Sequence, residues 1–424
     1  MTEETAGAAT RRARWIGWGV LALVYVVSYF HRTAPTVLAK GLMADFAATG
    51  AQIATMAALY LYIFAALQFG VGAVVDAWGP RRVVAGGALL MAVGALLFSA
   101  ARTLPVAYGA RLAVGAGASV VFIGTLKYVA AWYRPDEFAT LAGLTQLAGN
   151  TGALLSATPL AWAVATAGWR PTFAGVAVAT AGISVVTWLV VRDRPPGPVS
   201  LSSPRFSFRE GIASVWKNPR TWPMFFIFFG IYGTLMVFYG LWGVPYLRDV
   251  YGLSAAAAAR AMSAVAIGVI VGAPLVGHLS DRILARRRLP YALFTGLYAA
   301  LWGVLAFFPA DLPAGAVAPF CFLFGFASSA MLLTWALARE VNRSRFSDIA
   351  TATVNAGGFL GAAVLQNAVG AILDARWAGI VENAARRYPV AAYRAGFLLC
   401  FAAIGTALLL IALVTETHAR PAAD

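Results

Sequence analysis

Charged residues are scarce in this chain. Asp, Glu, Lys and Arg make up 12% of its 424 residues, and 61% are hydrophobic. A soluble domain carries roughly 25% charged and roughly 45–50% apolar residues. The mean hydropathy of +0.75 is likewise that of a predominantly apolar chain. These values exclude an ordinary soluble protein and predict a membrane protein with many spanning segments.

The chain also lacks the motifs of several function classes. Its two cysteines, Cys321 and Cys400, lie inside apolar runs, which excludes a disulfide framework and a cysteine metal set. It has no nucleotide-binding loop, nucleophile elbow or metal-ligand spacing, so we expect no enzyme activity, no cofactor and no metal. The net charge of +15 is spread in short clusters between apolar runs and accompanies no nucleic-acid motif. We therefore expect no nucleic-acid partner.

Apolar runs of about 20 residues, the length that spans a bilayer, dominate the rest of the chain. Twelve such runs lie near 15–38, 51–73, 82–101, 104–133, 138–163, 171–192, 222–247, 255–278, 289–309, 313–338, 347–373 and 393–415. The sequence thus predicts an all-α membrane protein with twelve transmembrane helices in two six-helix halves. The predicted boundaries are 1–192 for the first half, 193–221 for a cytoplasmic linker and 222–424 for the second half. An amphipathic helix is predicted in the linker from Phe208 to Trp216.

The basic residues orient these helices in the membrane. With both termini in the cytoplasm, 20 of the 32 Lys and Arg residues lie in cytoplasmic segments and 8 in external ones. The positive-inside rule therefore predicts cytoplasmic termini. The abundance of Ala, Gly and Arg favours a bacterial inner membrane. The predicted external segment Asp374–Tyr393 is long and mixed in composition, and we expect it to be partly helical.

The two halves contain related loops after their second helix. The first reads Gly72-Ala-Val-Val-Asp76-Ala-Trp-Gly79-Pro-Arg81-Arg82, and a weaker version contains Asp281. The first loop resembles the G-x-x-x-D-x-x-G-x-[RK]-[RK] signature of the major facilitator superfamily, and Arg111-Leu-Ala-Val-Gly115-Ala-Gly117 resembles its helix 4 pattern. The resemblance covers nearly the whole chain and implies two related halves with a substrate site between them. In such a fold we expect conformational gating from Asp76, Arg81, Arg82, Arg111, Asp281 and Glu340.

Four basic residues remain inside the apolar runs: Arg32, Arg111, Lys127 and Arg260. A charge there is costly and marks a functional candidate. We expect Arg111 to brace helices 1 and 4, with proton relay as the alternative, and Arg260 to extend to the interface. The surroundings of Arg32 and Lys127 resemble helices 1 and 4 of the organophosphate/phosphate antiporters and the anion/cation symporters. This resemblance implies that both side chains bind an anionic substrate, although each could instead snorkel to a membrane face.

Neutral polar groups complete the predicted site. The substrate-binding candidates besides Arg32 and Lys127 are Tyr29, Tyr60, Gln146, Asn150, Tyr239 and Asn355, and several of these could equally form helix–helix hydrogen bonds. Helix 7 has no charge in its apolar run and offers Tyr232, Tyr239 and Trp242 in place of the second strong cation that the antiporters carry there. A carboxylate substrate is therefore favoured over a sugar phosphate. His31 is the candidate for proton coupling, because histidine titrates near neutral pH.

The sequence therefore favours a secondary active transporter for a small organic anion that works by alternating access. It would act as a monomer in the lipid bilayer, either with proton symport or by anion exchange. A proton-coupled efflux carrier for amphipathic compounds is one alternative. A transporter-like sensor is another.

Overall fold

The computed structural model describes residues 3–194 and 208–418. The chain is a bundle of long α-helices. The first half contains α1 Glu3–Thr33, α2 Pro35–Phe46, α3 Gly50–Ala100, α4 Leu104–Ser119, α5 Val121–Trp132, α6 Pro135–Leu155, α7 Thr158–Ala167 and α8 Trp169–Val190. The remainder contains α9 Phe208–Lys217, α10 Trp222–Val237, α11 Gly243–Tyr251, α12 Ala255–His278, α13 Arg288–Phe307, α14 Val317–Ser328, α15 Met331–Glu340, α16 Ser347–Ala375 and α17 Val390–Leu410.

Ten helices in the described part of the chain are long and apolar enough to cross a membrane. One of them, α3, has 51 residues and would be about 76 Å long if straight, well over twice the roughly 30 Å hydrocarbon core. It contains a break at Gly79, so it supplies two passes. The pair α6 and α7 covers the predicted fifth run. This arrangement is consistent with the predicted twelve helices.

The break in α3 depends on a glycine. Gly79 has a φ of +81° and a ψ of 154°, a conformation that residues with a Cβ rarely adopt. A Cβ at this position would lie 2.5 Å from the carboxyl carbon of Asp193. That carboxylate accepts a hydrogen bond from the backbone N–H of Arg81 at 2.7 Å, and Pro80 begins the second helix. Asp193, which follows α8, thus caps the helix after the break.

Two opposite faces of the bundle differ in composition. The face that carries Arg14, near the start of the apolar span of α1, and Arg81, Arg134 and Arg287 near helix ends is called the basic face here. The other is called the hairpin face, because it carries a short antiparallel pair of strands, β1 Val381–Glu382 and β2 Ala385–Arg386. The external segment Asp374–Tyr393 is helical only at its ends, where α16 ends at Ala375 and α17 begins at Val390, and its middle is this hairpin. Asn383 and Ala384 both have positive φ, which closes a two-residue hairpin turn and excludes a helix.

The predicted linker helix is present as α9, Phe208–Lys217. Its Glu210 forms an ion pair with Arg345 at 3.2 Å, and its Trp216 ring lies 6.0 Å from that of Phe69. The helix therefore touches both halves of the bundle. The linker residues Pro195, Pro196, Ser200 to Ser203 and Arg205 lie outside the described residues, as does Arg420.

We predict that Gly79→Ala lowers the free energy of unfolding, because alanine must adopt a left-handed φ and displace Asp193. Strained backbone of this kind costs on the order of 1–3 kcal/mol. The matched control is Gly86→Ala, since Gly86 lies within α3 and nothing would contact its Cβ. Thermal unfolding in detergent micelles measures both variants. Equal melting temperatures for Gly79→Ala and the wild type would contradict the strain argument.

Candidate functional site

Arg32 lies near the end of α1 and is buried at 5% exposure. Its guanidinium carbon lies over three aromatic rings, at 4.3 Å from Tyr29, 5.0 Å from Phe64 and 4.9 Å from Phe359. Its Nη1 donates a hydrogen bond to the hydroxyl of Tyr232 at 3.3 Å. Tyr29 and Phe64 belong to the first half, whereas Tyr232 and Phe359 belong to the second. Both halves therefore build this aromatic cage around Arg32.

The charge of Arg32 has no counter-ion in the cage. Within the described ranges, Arg32 forms no ion pair, and its buried Nε has no hydrogen-bond partner. Cation–π contacts contribute roughly 0.5–2 kcal/mol each, which is less than a desolvated charge pair provides. A buried guanidinium presents five N–H donors, so most of its hydrogen-bonding capacity is available to a ligand.

A side-chain network fixes the first-half wall of the cage. Gln146 of α6 donates a hydrogen bond to the Tyr29 hydroxyl at 2.6 Å and accepts one from Tyr25 at 3.2 Å. The Tyr60 hydroxyl donates to the Ser28 carbonyl at 3.2 Å, and its ring stacks on Phe64. Gln146 and Tyr60 thus position the rings that surround Arg32. Neither side chain hydrogen-bonds to Arg32 itself, so a substrate-binding role for Gln146 and Tyr60 stays a prediction.

Arg111 and His31 form a separate contact next to Tyr60. Arg111 is buried in α4, donates to the His31 carbonyl at 2.9 Å and lies 5.0 Å from the Tyr60 ring. This contact joins helices 1 and 4 in the way expected for bracing. The His31 ring packs against Phe173 of α8, and its Nε2 has no hydrogen-bond partner in the part of the chain described. The imidazole therefore does not contact the aromatic cage of Arg32.

Lys127 does not pair with Arg32, contrary to the prediction. Its Nζ lies 2.9 Å from a carboxylate oxygen of Asp76, and both side chains are well exposed. The neighbouring Tyr128 hydroxyl contacts the Arg14 carbonyl, which places this stretch near the beginning of helix 1. Arg32 lies about 27 Å further along that helix, at 1.5 Å per residue. Lys127 is thus a basic-face residue that stabilises Asp76 of the signature loop.

The other predicted binding residues differ in their surroundings, and of these Tyr239 lies near Thr33 and the cage residue Tyr29. The side-chain amide of Asn355 on α16 donates to the side-chain oxygen Oε1 of Gln68 on α3 at 3.2 Å, which joins the two halves. Tyr239 is buried in a π-helical turn, Phe238–Trp242, and Asn150 is half-buried on α6. The cage residues Phe64 and Phe359 were not predicted. A phenylalanine in an apolar run looks like any lipid-facing or packing residue, so the sequence contained no signal for them.

A second polar cluster lies at the basic end of the second half. Arg287 contacts Asp281 and donates to Glu340 at 2.6 Å and 3.0 Å. Glu416 accepts hydrogen bonds from the backbone N–H groups of Arg287 and Arg288. Burial alone would raise the pKa of Glu416, but these N–H donors lower it below its ordinary value. The predicted gating residues Asp281 and Glu340 therefore share one arginine.

The predicted gating arginines of the first half lie after the break in α3. Arg81 donates to the Trp188 carbonyl at 2.6 Å, and Arg82 is exposed beside it.

Charged contacts hold the halves together at the hairpin face. Lys40 of α2 donates to Asp249 of α11 at 2.8 Å, and both side chains are at least nine-tenths buried. Asp374 at the end of α16 accepts from the backbone N–H groups of Gly50 and Ala51, the first residues of α3, at 2.9 and 2.7 Å. We call these two contacts the hairpin-face seal. Sequence reasoning missed it, since opposite charges at distant helix ends reveal their pairing only after folding.

Comparison with known proteins identifies the class. Residues 21–365 match the Major Facilitator Superfamily. The chain belongs to this superfamily and is a multi-pass membrane transporter of its type, as predicted. The fold resembles that of a bacterial homologue of the human lysosomal transporter Spinster in its inward-facing, unoccupied conformation. The TM-score is 0.76 at 17% identity, over 95% of this chain and 97% of that one.

Sequence relatives include proteins with named anionic substrates. A probable sulfoacetate transporter of Cupriavidus necator is 24% identical over 80% of this chain and 82% of its own length. A membrane sensor protein of Salmonella typhimurium is 24% identical over 66% of this chain and 65% of its own. A probable nitrate/nitrite transporter of Mycobacterium tuberculosis is 30% identical, but over 37% of this chain and 38% of its own.

The Asp76–Lys127 contact generates a prediction that needs no substrate. Asp76→Asn and Lys127→Gln each remove the same ion pair. Once one substitution is present, the other should therefore cause no further loss of stability. Exposed ion pairs contribute roughly 0.2–1 kcal/mol, which sets the expected coupling energy. A double-mutant cycle of unfolding free energies measures it, and the coupling should fall at high salt. Fully additive effects at low salt would show that the pair does not form.

Proposed function

We propose that this chain is a secondary transporter of a small organic anion in a bacterial inner membrane, with both termini in the cytoplasm. The observation that carries the proposal is the buried guanidinium of Arg32, which has no carboxylate partner among the described residues. Burying an ion without a partner is costly. An anion that enters the cage removes part of this cost and receives charge-assisted hydrogen bonds.

The composition of the cage favours a singly charged group such as a carboxylate. The second half contributes the Tyr232 hydroxyl and the Phe359 ring, both neutral, so among the described residues Arg32 supplies the one cation in contact with the cage. A phosphate dianion would retain an uncompensated charge there. The names of two relatives, a probable sulfoacetate transporter and a probable nitrate/nitrite transporter, support an anionic substrate.

The position of the cage between the halves supports alternating access. A ligand bound to Arg32 would also lie against residues of the second half, so its binding energy would depend on how closely the halves approach. The hairpin-face seal closes one route to the cage in this conformation. On this proposal the substrate exchanges with the basic, cytoplasmic face here, and the seal opens in the other half of the cycle. One chain contains the complete site, so the proposed unit is a monomer.

A sensor is the second candidate function, because one relative is a membrane sensor protein. A sensor and a carrier can bind the same anion in the same cage, so binding alone does not separate them. Net movement of a labelled anion into protein-containing liposomes does. We expect uptake, and a protein that binds the anion but never moves it would be a sensor.

We predict that Arg32→Gln lowers the affinity for organic carboxylates tenfold or more. A hydrogen bond to a charged group contributes roughly 1.5–3 kcal/mol, which corresponds to about tenfold to a hundredfold in affinity. The measurement is liposome uptake and ligand-induced thermal stabilisation across a panel of carboxylates, sulfonates and sugar phosphates. Arg260→Gln is the matched control, because Arg260 is an exposed arginine of α12. If Arg32→Gln binds carboxylates with unchanged affinity, Arg32 does not bind the substrate.

The coupling of anion transport to protons or to a second anion is tested separately. The His31 ring packs on Phe30 and Phe173 and has no ring contact with Tyr29, Phe64 or Phe359, which supports exchange of one anion for another over histidine-mediated proton symport. We expect unlabelled anion inside the liposomes to accelerate uptake of labelled anion in both the wild type and His31→Gln. If a pH gradient alone drives accumulation in the wild type and His31→Gln abolishes it, His31 carries the proton and the exchange proposal fails.

A further inference from the structure

A cavity of about 330 Å³ opens at the hairpin face, beside the seal. Its walls come from both halves of the protein. Lys40 and Ala44 of α2 form one side, and the end of α11 with the β-hairpin forms the other. This cavity is distinct from the aromatic cage, since Arg32 and its ring partners do not line it.

The lining of the cavity has an excess of positive charge. Lys40, Arg248 and Arg387 face two acids, Asp249 and Glu382. Lys40 is paired with Asp249 at 2.8 Å, and Arg387 with Glu382 at 3.2 Å. Arg248 has no hydrogen bond or ion pair with any described residue. The cavity therefore presents one uncompensated guanidinium, flanked by two further cationic side chains.

We propose that this cavity is a second anion site, for a small oxyanion, and that its occupant holds the hairpin face closed. A guanidinium matches the geometry of carboxylate and phosphate oxygens, and a cavity of this size accommodates such a group. The site differs from the cage in being open at the hairpin face and in being lined by several charged side chains. The proposal rests on the proposed orientation and alternating access but is independent of which substrate Arg32 binds.

The effect on transport follows from the walls of the cavity. Because α2 belongs to one half and α11 with the hairpin to the other, the cavity loses one wall when the halves separate at this face. A ligand that needs both walls binds the sealed form more tightly than the open form. Its binding therefore shifts the population toward the sealed form, and the ratio of its affinities for the two forms sets the largest possible shift. An external oxyanion therefore acts as an inhibitor of opening and not as a transported substrate at this position.

The experiment uses inorganic phosphate as the probe and accessibility of the seal as the readout. Thr55 of α3 lies between the halves, where it hydrogen-bonds to Asn367 of α16 at 3.2 Å. A Thr55→Cys label site reacts with a membrane-impermeant maleimide when the hairpin face opens. The native Cys321 and Cys400 are buried at 1% and 0% exposure. The parent protein also carries Arg32→Gln, so that phosphate binding in the cage does not contribute.

We expect phosphate, compared with chloride at equal ionic strength, to slow labelling of the parent about threefold or more. Arg248→Gln should abolish this slowing, and Arg248→Lys should retain part of it because the charge remains. Arg102→Gln, an exposed arginine that does not line the cavity, should behave as the parent. Equal labelling rates in phosphate and chloride, faster labelling in phosphate, or the same slowing in Arg248→Gln would each overturn the proposal.

A lipid headgroup can supply the same phosphate chemistry as a soluble ion. Liposomes of phosphatidylglycerol and of phosphatidylcholine, with the maleimide added on the side of the hairpin face, separate these sources in the absence of added phosphate. Slower labelling in phosphatidylglycerol that depends on Arg248 identifies the occupant as a headgroup, and equal labelling in the two lipids identifies it as a soluble anion. Melting temperatures with and without phosphate, measured on the same variants without the Thr55 substitution, check that the label site itself does not create the effect.

Discussion

A guanidinium that is held away from water, with no counter-ion among the described residues, is the constraint on which the proposed site depends. Placing arginine at the centre of a membrane helix costs roughly 2.5–3.5 kcal/mol on insertion scales. The chain offsets part of this cost at Arg32 with three aromatic rings and one tyrosine hydroxyl. A carboxylate would offset it more completely, but it would also occupy the position that a substrate anion needs. The aromatic cage therefore stabilises the cation while leaving its hydrogen-bonding groups for a ligand.

This arrangement relates binding to conformation. Arg32 belongs to the first half, while Tyr232 and Phe359 close the cage from the second. The halves are also joined at the hairpin face by Lys40, Asp249 and Asp374. The two sets of contacts lie at different depths of the same interface. A movement that opens the hairpin-face seal must therefore change the second-half wall of the cage as well.

The sequence was sufficient for the family and the helix positions, because hydropathy and the Gly72–Arg82 signature are local patterns. The sequence failed to predict the site where residue positions depended on how far along a helix each side chain lies. Lys127 was expected beside Arg32, yet it lies near the basic face, paired with Asp76. Phe64 and Phe359 carry no polar group that distinguishes them from packing residues. The contact between Lys40 and Asp249 joins residues that are far apart in the chain, so only the folded interface reveals it.

A structure determined with a small carboxylate bound tests the central claim most directly. The account predicts the carboxylate within hydrogen-bonding distance of the Arg32 guanidinium, between the rings of Tyr29, Phe64 and Phe359, with the Tyr232 hydroxyl as a further contact. The contrary result would be a carboxylate bound elsewhere in the interface, with Arg32 still enclosed by the same rings. The guanidinium would then be a structural feature of the helix bundle, and the substrate would be recognised by other residues.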